Sequence, residues 1–348
     1  MILKDILAAF FILTFLLGFA FSYYLTPRFM DLASRFGLVD RPNGRLKFQK
    51  EPVPYLGGLA VFLAFLLTLA ITYEFSPEVT GILLAGTVIV ILGLLDDFGV
   101  LSPWQKFLGQ AVATVVLIKS GIYIKLTIIP VYLAIPLTFL WMIAIINAVN
   151  IIDIMDGLSP GTALIASLTL FAVALLNDRL PVAIMTLALA GSLAGFLRFN
   201  FPPARIYLGD TGSMFLGLML GSLGLEGSYT NGSVLGALAP IVILAIPIFD
   251  TALVIWVRWR KGLSPFLGSP DHYALVLKRA GFSIRKIVLC TYLVGIVLGI
   301  LGLFLMRVNF QAALLIIGSV GIFFLVVFFL IPGMDRGKKT LIQSNKMR

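Results

Sequence analysis

Long apolar stretches recur along the whole sequence and constrain the fold more than any other feature. About eleven of them approach the roughly 20 residues that an α-helix needs to cross the hydrocarbon core of a bilayer. Of the 348 residues, 60% are hydrophobic and only 12% are charged, whereas about 25% are charged in a soluble domain. The sequence therefore predicts an all-α, polytopic membrane helix bundle. The expected spans are 6–25, 55–73, 79–95, 104–119, 133–150, 159–176, 180–198, 211–226, 234–257, 286–306 and 311–331.

No linker or internal repeat divides the chain, so we expect a single membrane domain over residues 1–348 that ends in a basic tail, 332–348. When the spans are threaded, most of the 26 lysine and arginine residues fall in the loops of one face. Positive residues mark the cytoplasmic side of a membrane. We therefore expect an inner (cytoplasmic) membrane protein of the bacterial type, with the N-terminus outside and the C-terminus in the cytoplasm. The same rule explains the net charge of +10 without a nucleic-acid partner.

Acidic residues gather at the expected cytoplasmic ends of the spans, where unpaired carboxylates beside a low-dielectric layer are unfavourable. The residues concerned are Asp96, Asp97, Asp153, Asp156, Asp210, Asp250 and Asp271. A pair of acids that ends a helix and faces water is one interpretation of the first two. A shared cation site is the other interpretation.

A polar stripe precedes residue 157. Asn147, Asn150, Asp153 and Asp156 recur every three positions, which on a helix places them on neighbouring faces. Amide and carboxylate groups in this pattern indicate metal ligands or hydrogen-bonding groups. A capped helix end is the alternative.

Two further segments carry polar groups on the same predicted face. Gly209-Asp210-Thr211-Gly212-Ser213 follows Asn200 and resembles a tight turn before a helix, where exposed N–H groups bind either a capping side chain or an anion. A basic loop holds Arg258, Arg260 and His272, and such cations suit a phosphorylated ligand. Lys106 is interpreted either as an interfacial anchor or as a phosphate ligand.

Carboxylates alone repel phosphate, but carboxylates with Mg²⁺ bind it, because the ion bridges the two anions. One cysteine and one histidine do not make a site for a softer metal. The residues thus indicate Mg²⁺-assisted phosphoryl chemistry at the inner membrane surface, with Mn²⁺ as the alternative ion. An ion-coupled secondary transporter is the competing function, since such carriers hold intramembrane acids.

The order of these motifs resembles the polyprenyl-phosphate N-acetylhexosamine-1-phosphate transferases. The resemblance begins with Asp40-Arg-Pro-Asn43 and Pro52-Val-Pro54-Tyr-Leu-Gly57-Gly58 and runs to about residue 285. It is closer to the undecaprenyl-phosphate N-acetylglucosamine-1-phosphate transferases than to the phospho-N-acetylmuramoyl-pentapeptide transferases, because Tyr273 and Ala274 stand where the latter carry a histidine run.

The resemblance implies transfer of a sugar 1-phosphate from a UDP-N-acetylhexosamine to a polyprenyl phosphate in the membrane, with release of UMP. It implies a Mg²⁺-dependent cytoplasmic site and leaves open whether the protein forms a homodimer. The implied catalytic residues are Asp96, Asp97, Asp153 and Asp156. The implied metal ligands are Asp210 and Asp97. The expected substrate-binding residues are Asn147, Asn150, Lys106, Asn200, Arg258, Arg260 and His272.

One departure from the family pattern bears on the local structure. Relatives have Asp-Gly-x-Asp-Gly where this chain has Asp153-Ile154-Met155-Asp156-Gly157. Since glycine is the residue that disfavours a helix, its loss predicts a more helical backbone at this position.

Overall fold

The structure is a computed structural model that describes residues 2–40, 52–73, 76–227, 229–230, 232–264 and 269–346, without the side chains of 2–4 and 332–346. The Arg41–Asn43 part of the first motif and the side chains of the basic tail 332–348 lie outside the described residues. The chain forms two compact units, Met1–Ser228 and Tyr229–Arg348. The single domain stays a prediction.

The first unit is a helix bundle with one short antiparallel sheet, in which Val39 pairs with Pro54. Its elements in chain order are α1 Ile2–Arg35, β1 Val39–Asp40, β2 Val53–Pro54, α2 Gly57–Thr72, α3 Pro77–Asp97, α4 Pro103–Lys119, α5 Val131–Ile151, α6 Leu158–Leu176, α7 Leu180–Asn200 and α8 Gly209–Leu225.

Local capping chemistry sets the start of α4. The Ser102 hydroxyl accepts the N–H of Gln105 at 3.3 Å, and the Gln105 side chain accepts the N–H of Ser102 at 2.8 Å. This capping box satisfies two N–H groups that lack a partner within the helix. Pro103 occupies the first helical position, where its missing N–H removes no hydrogen bond. The box therefore fixes the turn from which Lys106 projects.

Helix α8 packs against α2, α3, α5 and α6, and every residue from 211 to 224 is buried. Glycines permit this close packing. A Cβ atom at Gly58 of α2 would lie 2.1 Å from the backbone nitrogen of Gly212, and one at Gly93 of α3 would lie 2.4 Å from the Cα of Thr211. Small residues at helix contacts let backbones approach closely in membrane bundles. The start of α8 is thus held between two neighbouring helices.

The second unit is also helical. Its elements are a 3₁₀ turn Val234–Leu238, α9 Ala239–Ile243, α10 Ala245–Arg260, α11 Tyr273–Arg279, α12 Ile284–Leu305 and α13 Phe310–Lys346. The apolar segment that the sequence predicts as one span, 234–257, is bent by 72° at Leu244. Pro247 explains the break, because a proline has no N–H for the carbonyl four residues earlier, here that of Ile243, and its ring collides with it.

All eleven predicted apolar segments coincide with helices of the described chain, and the fold is an all-α, multi-pass membrane bundle. Seven of these helices are long and apolar enough to cross a membrane, or eight if the bent pair counts as one span. Helices α2, α4 and α8 have only 16 or 17 residues. The count of eleven and the orientation stay predictions.

The packing of α3 against α8 predicts a contrast between two glycines of the same helix. Gly93→Ala forces a methyl group against the backbone of Thr211, whereas a Cβ at Gly86 meets the Phe215 ring at an ordinary 3.4 Å. We expect Gly93→Ala to lower the free energy of unfolding by about 1–3 kcal/mol. Gly86→Ala should leave it unchanged or raise it, because alanine favours helix.

Thermal unfolding of the purified protein in detergent measures both variants. Equal unfolding midpoints for Gly93→Ala and Gly86→Ala would contradict the close contact between α3 and α8.

Candidate active site

Asp97, the last residue of α3, caps the N-terminus of α8. Its Oδ1 accepts the N–H of Asp210 at 2.7 Å. Its Oδ2 accepts the N–H of Thr211 at 3.1 Å and the Thr211 hydroxyl at 2.6 Å. The first N–H groups of a helix have no intrahelical partner and carry partial positive charge, so a carboxylate there stabilises the helix. The capping side chain thus belongs to another helix, α3.

Gly209 is required at this junction for two reasons. Its φ of +74° lies in the left-handed region, and a Cβ there would lie 2.8 Å from the Oδ2 of Asp97. A side chain at this position would therefore be strained and would push the capping carboxylate away. Because Asp97 supplies the cap, the side chain of Asp210 is left for other contacts.

Those contacts form a polar cluster between α3, α4, α5 and α8. The Lys106 Nζ lies 2.5 Å from the Oδ2 of Asp96 and 3.5 Å from the Oδ1 of Asp210. The same Nζ lies 3.4 Å from the Oδ1 of Asn150. The Asn150 amide donates to Asp210 and, at 2.9 Å, to the Ser213 hydroxyl. We call Asp96, Lys106, Asn150 and Asp210 the lysine cluster.

A pair of amides joins α4 to α5 next to the lysine cluster. Asn147 donates to the Oε1 of Gln110 at 2.8 Å, and Gln110 donates back to Asn147 at 3.4 Å. Gln110 is buried, with 1% of its surface exposed. Since buried amides need hydrogen-bond partners, the main role of this pair is to hold α4 against α5. The predicted substrate-binding residue Asn147 has its amide nitrogen shared between Gln110 and the Ile143 carbonyl, both at 2.8 Å.

The predicted polar stripe is not continuous. Helix α5 ends at Ile151, and residues 152–157 form an irregular loop, so the expectation of a more helical backbone here is wrong. Gly157, with φ of +73°, is the N-cap residue that precedes α6. Asn147 and Asn150 therefore project from a helix, while Asp153 and Asp156 project from the loop.

The loop is tied to the segment 201–208. The Oδ2 of Asp156 accepts the N–H of Ala204 at 3.0 Å. The buried Asn200 accepts the N–H of Gly157 at 2.9 Å and donates to the Ile206 carbonyl at 2.8 Å. The side chains of Asp156 and Asn200 thus hold the loop 152–157 against the segment 201–208.

Asp153 lies in surroundings that disfavour its charged form. Removal from water raises its pKa well above the usual value, and the charges of Asp210, Asp97 and Asp156 raise the pKa further. Such mutual influence requires the four carboxylates to lie near one another. The structure thus brings together the acids of three segments that are far apart in the sequence.

Two tyrosines beside these acids were missed by the sequence analysis. The Tyr55 hydroxyl donates to the Oδ1 of the buried Asp40 at 2.9 Å, and the rings of Tyr55 and Tyr207 lie 6.4 Å apart. Burial raises the pKa of Tyr207 to about 12, and the charges of Asp156, Asp40 and Asp153 add to the shift. No spacing rule pointed to these tyrosines, because their segments meet only in the folded chain.

The remaining predicted residues belong to the second unit. The Nδ1 of His272 lies 2.7 Å from the Oδ2 of Asp250. The buried Arg258 donates to the Ser264 carbonyl at 2.5 Å. The exposed Arg260 lies over the Trp256 ring at 5.0 Å. Asp250 was missed as a partner of His272, since 22 residues separate them.

The residues of the first unit fit a divalent cation held jointly with a substrate. In the part of the chain that the structure describes, no group of three or more His, Cys, Asp or Glu side chains is placed to hold a metal by itself. Mg²⁺, however, is usually held by one or two carboxylates together with water and substrate phosphates. In the lysine cluster two carboxylates share one ammonium group, which leaves a net negative charge. The side chain of Asp210 is 35% exposed, so it is accessible to a cation.

Comparison with known proteins agrees with these motifs. The model of the family described as "Glycosyl transferase family 4" matches residues 79–228. A probable undecaprenyl-phosphate N-acetylglucosaminyl 1-phosphate transferase of Bacillus subtilis is 33% identical over 328 residues, covering 91% of this chain and 89% of the relative. A decaprenyl-phosphate N-acetylglucosaminephosphotransferase of Mycobacterium tuberculosis is 35% identical over 315 residues, covering 79% and 78%.

A phospho-N-acetylmuramoyl-pentapeptide-transferase of Halalkalibacterium halodurans is 30% identical over 324 residues, covering 84% of this chain and 97% of the relative. The chain is thus more similar to the two relatives named for N-acetylglucosamine, as its motifs predict. It belongs to glycosyl transferase family 4, within the superfamily of polyprenyl-phosphate N-acetylhexosamine-1-phosphate transferases.

Proposed function

We propose that the protein transfers N-acetylglucosamine 1-phosphate from UDP-N-acetylglucosamine to a polyprenyl phosphate, such as undecaprenyl phosphate. The products would be a lipid-linked diphosphate sugar and UMP, at the first step of a cell-envelope glycan. The names of the relatives support the sugar and the lipid. The observation that carries the proposal is the lysine cluster at the start of α8, where an ammonium group lies between two carboxylates.

The proposed reaction is an in-line displacement at phosphorus. An oxygen of the lipid phosphate bonds to the β-phosphorus of the donor, and the bond from this phosphorus to the bridging oxygen breaks, so UMP leaves with that oxygen. The second pKa of a phosphate monoester is about 6, so the attacking oxygen is already ionised near neutrality. Catalysis then depends on positioning and charge stabilisation more than on a strong base.

Lys106 and Asp210 take the central roles in this proposal. Lys106 exchanges part of its contact with Asp96 and Asp210 for a phosphate oxygen of the substrate. Asp210 would hold Mg²⁺, or Mn²⁺ in its place. When bound, the cation would supply positive charge where negative charge develops on the leaving group. Asn150 keeps Asp210 oriented through its amide.

The other acids and amides of the first unit act around this centre. Asp97 is predicted both as a catalytic residue and as a metal ligand, and we propose that it acts through the cap that positions Asp210. Asp96 holds the ammonium group of Lys106 in place. Asp153 is proposed as a catalytic residue beside these acids, where burial and their charges raise its pKa and favour its protonated form. We propose supporting roles for three residues whose amide or carboxylate groups bond to protein atoms: Asn147, Asp156 and Asn200.

For the second unit we propose that Arg258, Arg260 and His272 bind the nucleotide-sugar donor. We further propose eleven spans with the N-terminus outside, the active site on the cytoplasmic face and the C-terminus in the cytoplasm of the inner membrane. Against the transporter alternative, Asp96 and Asp97 end a helix rather than interrupt one. One bent helix pair occurs in the described ranges, without the counterpart that inverted-repeat carriers show.

Transfer of label into lipid tests the function directly. Purified protein in detergent is incubated with undecaprenyl phosphate and UDP-N-acetylglucosamine labelled in the sugar. We expect the label to enter the organic phase with Mg²⁺ and to stay in water with a chelator. No transfer in the presence of Mg²⁺ and Mn²⁺, with a panel of UDP-sugars, would overturn the proposal.

Asp210→Asn should reduce the transfer rate by a factor of about 10²–10³, a loss typical of removing one group that stabilises developing charge. The substitution keeps the volume of the side chain and its contact with Asn150, so the unfolding midpoint should change little. The same labelled-lipid assay measures the rate across a Mg²⁺ titration. Asp178→Asn, at an exposed position in the turn before α7, is the matched control and should retain the full rate.

The neighbours Asp96 and Asp97 should respond differently to the same change. Asp97→Asn replaces one of the two oxygens that accept helix N–H groups with an NH₂ group that cannot accept, so we expect the free energy of unfolding to fall by about 1–3 kcal/mol together with the activity. Asp96→Asn should lower the activity at least as much but leave the unfolding midpoint nearly unchanged. Thermal unfolding and transfer rates measure the two effects, and a stable Asp97→Asn protein would argue against the capping role.

A further inference from the structure

Asp250 is a fully buried carboxylate in α10, with 0% of its surface exposed. Its Oδ2 lies 2.7 Å from the Nδ1 of His272. Its Oδ1 accepts the N–H of Tyr273 at 3.0 Å. A buried carboxylate is tolerated only where hydrogen bonds or charges compensate the lost hydration. Both oxygens of Asp250 are used for adjacent residues of one segment, so this carboxylate fixes the position of that segment.

The same segment is held from a second side. The Tyr273 hydroxyl lies 3.0 Å from the hydroxyl of Thr291 in α12, and both side chains are buried. Asp271, the residue before His272, is bonded to Lys261 at 2.7 Å and to Ser269 at 3.0 Å. These contacts restrict the backbone on either side of the imidazole. They do not determine which ring nitrogen carries the proton.

The bond to Asp250 determines which ring nitrogen of His272 carries the proton. A charged carboxylate accepts a hydrogen bond, so the nitrogen facing it must carry a proton. In the neutral imidazole the proton is therefore on Nδ1, and Nε2 keeps its lone pair. A protonated ring would present Nε2–H as a donor. In either state Nε2 is the ring nitrogen that is not bonded to Asp250.

We propose that Asp250 is a positioning residue for the transfer reaction. It holds His272 by Nδ1 and so presents Nε2 to the nucleotide-sugar donor. The assignment rests on the proposed function for the role of His272, whereas the state of the ring is a property of the protein alone. Its chemistry is that of a carboxylate that orients an imidazole, as a second group orients a catalytic or metal-binding histidine elsewhere.

The single histidine of the chain makes the ring state directly measurable. In protein labelled with ¹⁵N histidine, at a pH that neutralises the ring, the nitrogen signals should show a proton on Nδ1 and a free Nε2. In Asp250→Asn the form with the proton on Nε2 should rise, because the amide can donate to Nδ1. A wild-type ring with its proton mainly on Nε2 would overturn the proposal, whatever the enzyme transfers.

A double-mutant cycle tests the functional half. We expect His272→Ala and Asp250→Asn each to raise the KM for the donor about tenfold, equivalent to about 1.4 kcal/mol, with the KM for the lipid within about twofold of wild type. Asp250→Asn in the His272→Ala background should add nothing, because the residue that it positions is gone. If the increases in the KM for the donor multiply in the double variant, the proposal is overturned.

Two controls separate positioning from folding. Tyr273→Phe removes the bond to Thr291 but leaves Asp250 and His272 untouched, so it should lower the unfolding midpoint without changing the KM for the donor. Asp271→Asn should leave the ring state of His272 unchanged. If the wild-type protein transfers no sugar while the ¹⁵N signals are as expected, the proposed function fails and the ring assignment stands.

Discussion

The carboxylate of Asp97 at the N-terminus of α8 is the interaction on which the rest of the first unit depends. The first N–H groups of this helix have no intrahelical partner, and a buried donor left unpaired is unfavourable by a few kcal/mol. Asp97 satisfies these groups from another helix, so α3 and α8 are joined at the point where both end in polar groups. Gly209 and Gly93 provide the space. The result is that Asp210 starts a rigid helix and has its side chain directed to α4 and α5.

The second unit repeats the arrangement with other residues. There Asp250 of α10 accepts the first N–H of α11 and contacts His272. In both units an acid reaches across to the start of a different helix and so fixes a residue there, Asp210 in one case and His272 in the other. Capping by a distant residue links secondary structure to the placement of a functional side chain, because neither can move without breaking the same hydrogen bonds.

The sequence was sufficient for the fold class, because the length of the apolar segments is a local property. The family resemblance named Asp96, Lys106, Asn150 and Asp210 as site residues, but it did not predict that Lys106 lies between the two carboxylates. The sequence failed for residues 152–157, where the spacing of three suggested a continuing helix. The structure ends α5 at Ile151 and uses Asp156 to bind a backbone N–H of a different loop. The pairing of Asp97 with Thr211 and of Asp250 with His272 could not be predicted from the sequence either. Each pair is separated by many residues, and no periodic pattern encodes which carboxylate reaches which helix.

The reciprocal amide bonds between Gln110 and Asn147 have a consequence for how α4 and α5 are aligned. Each amide both donates a hydrogen bond to the other and accepts one from it. The buried Gln110 has apolar neighbours along its helix. Sliding α4 by one turn, about 5.4 Å, would unpair both amides in apolar surroundings, whereas leucine or valine at these positions would tolerate several alignments. The amide pair therefore fixes the alignment of the two helices. Lys106, one turn away from Gln110, lies beside Asn150 as a result.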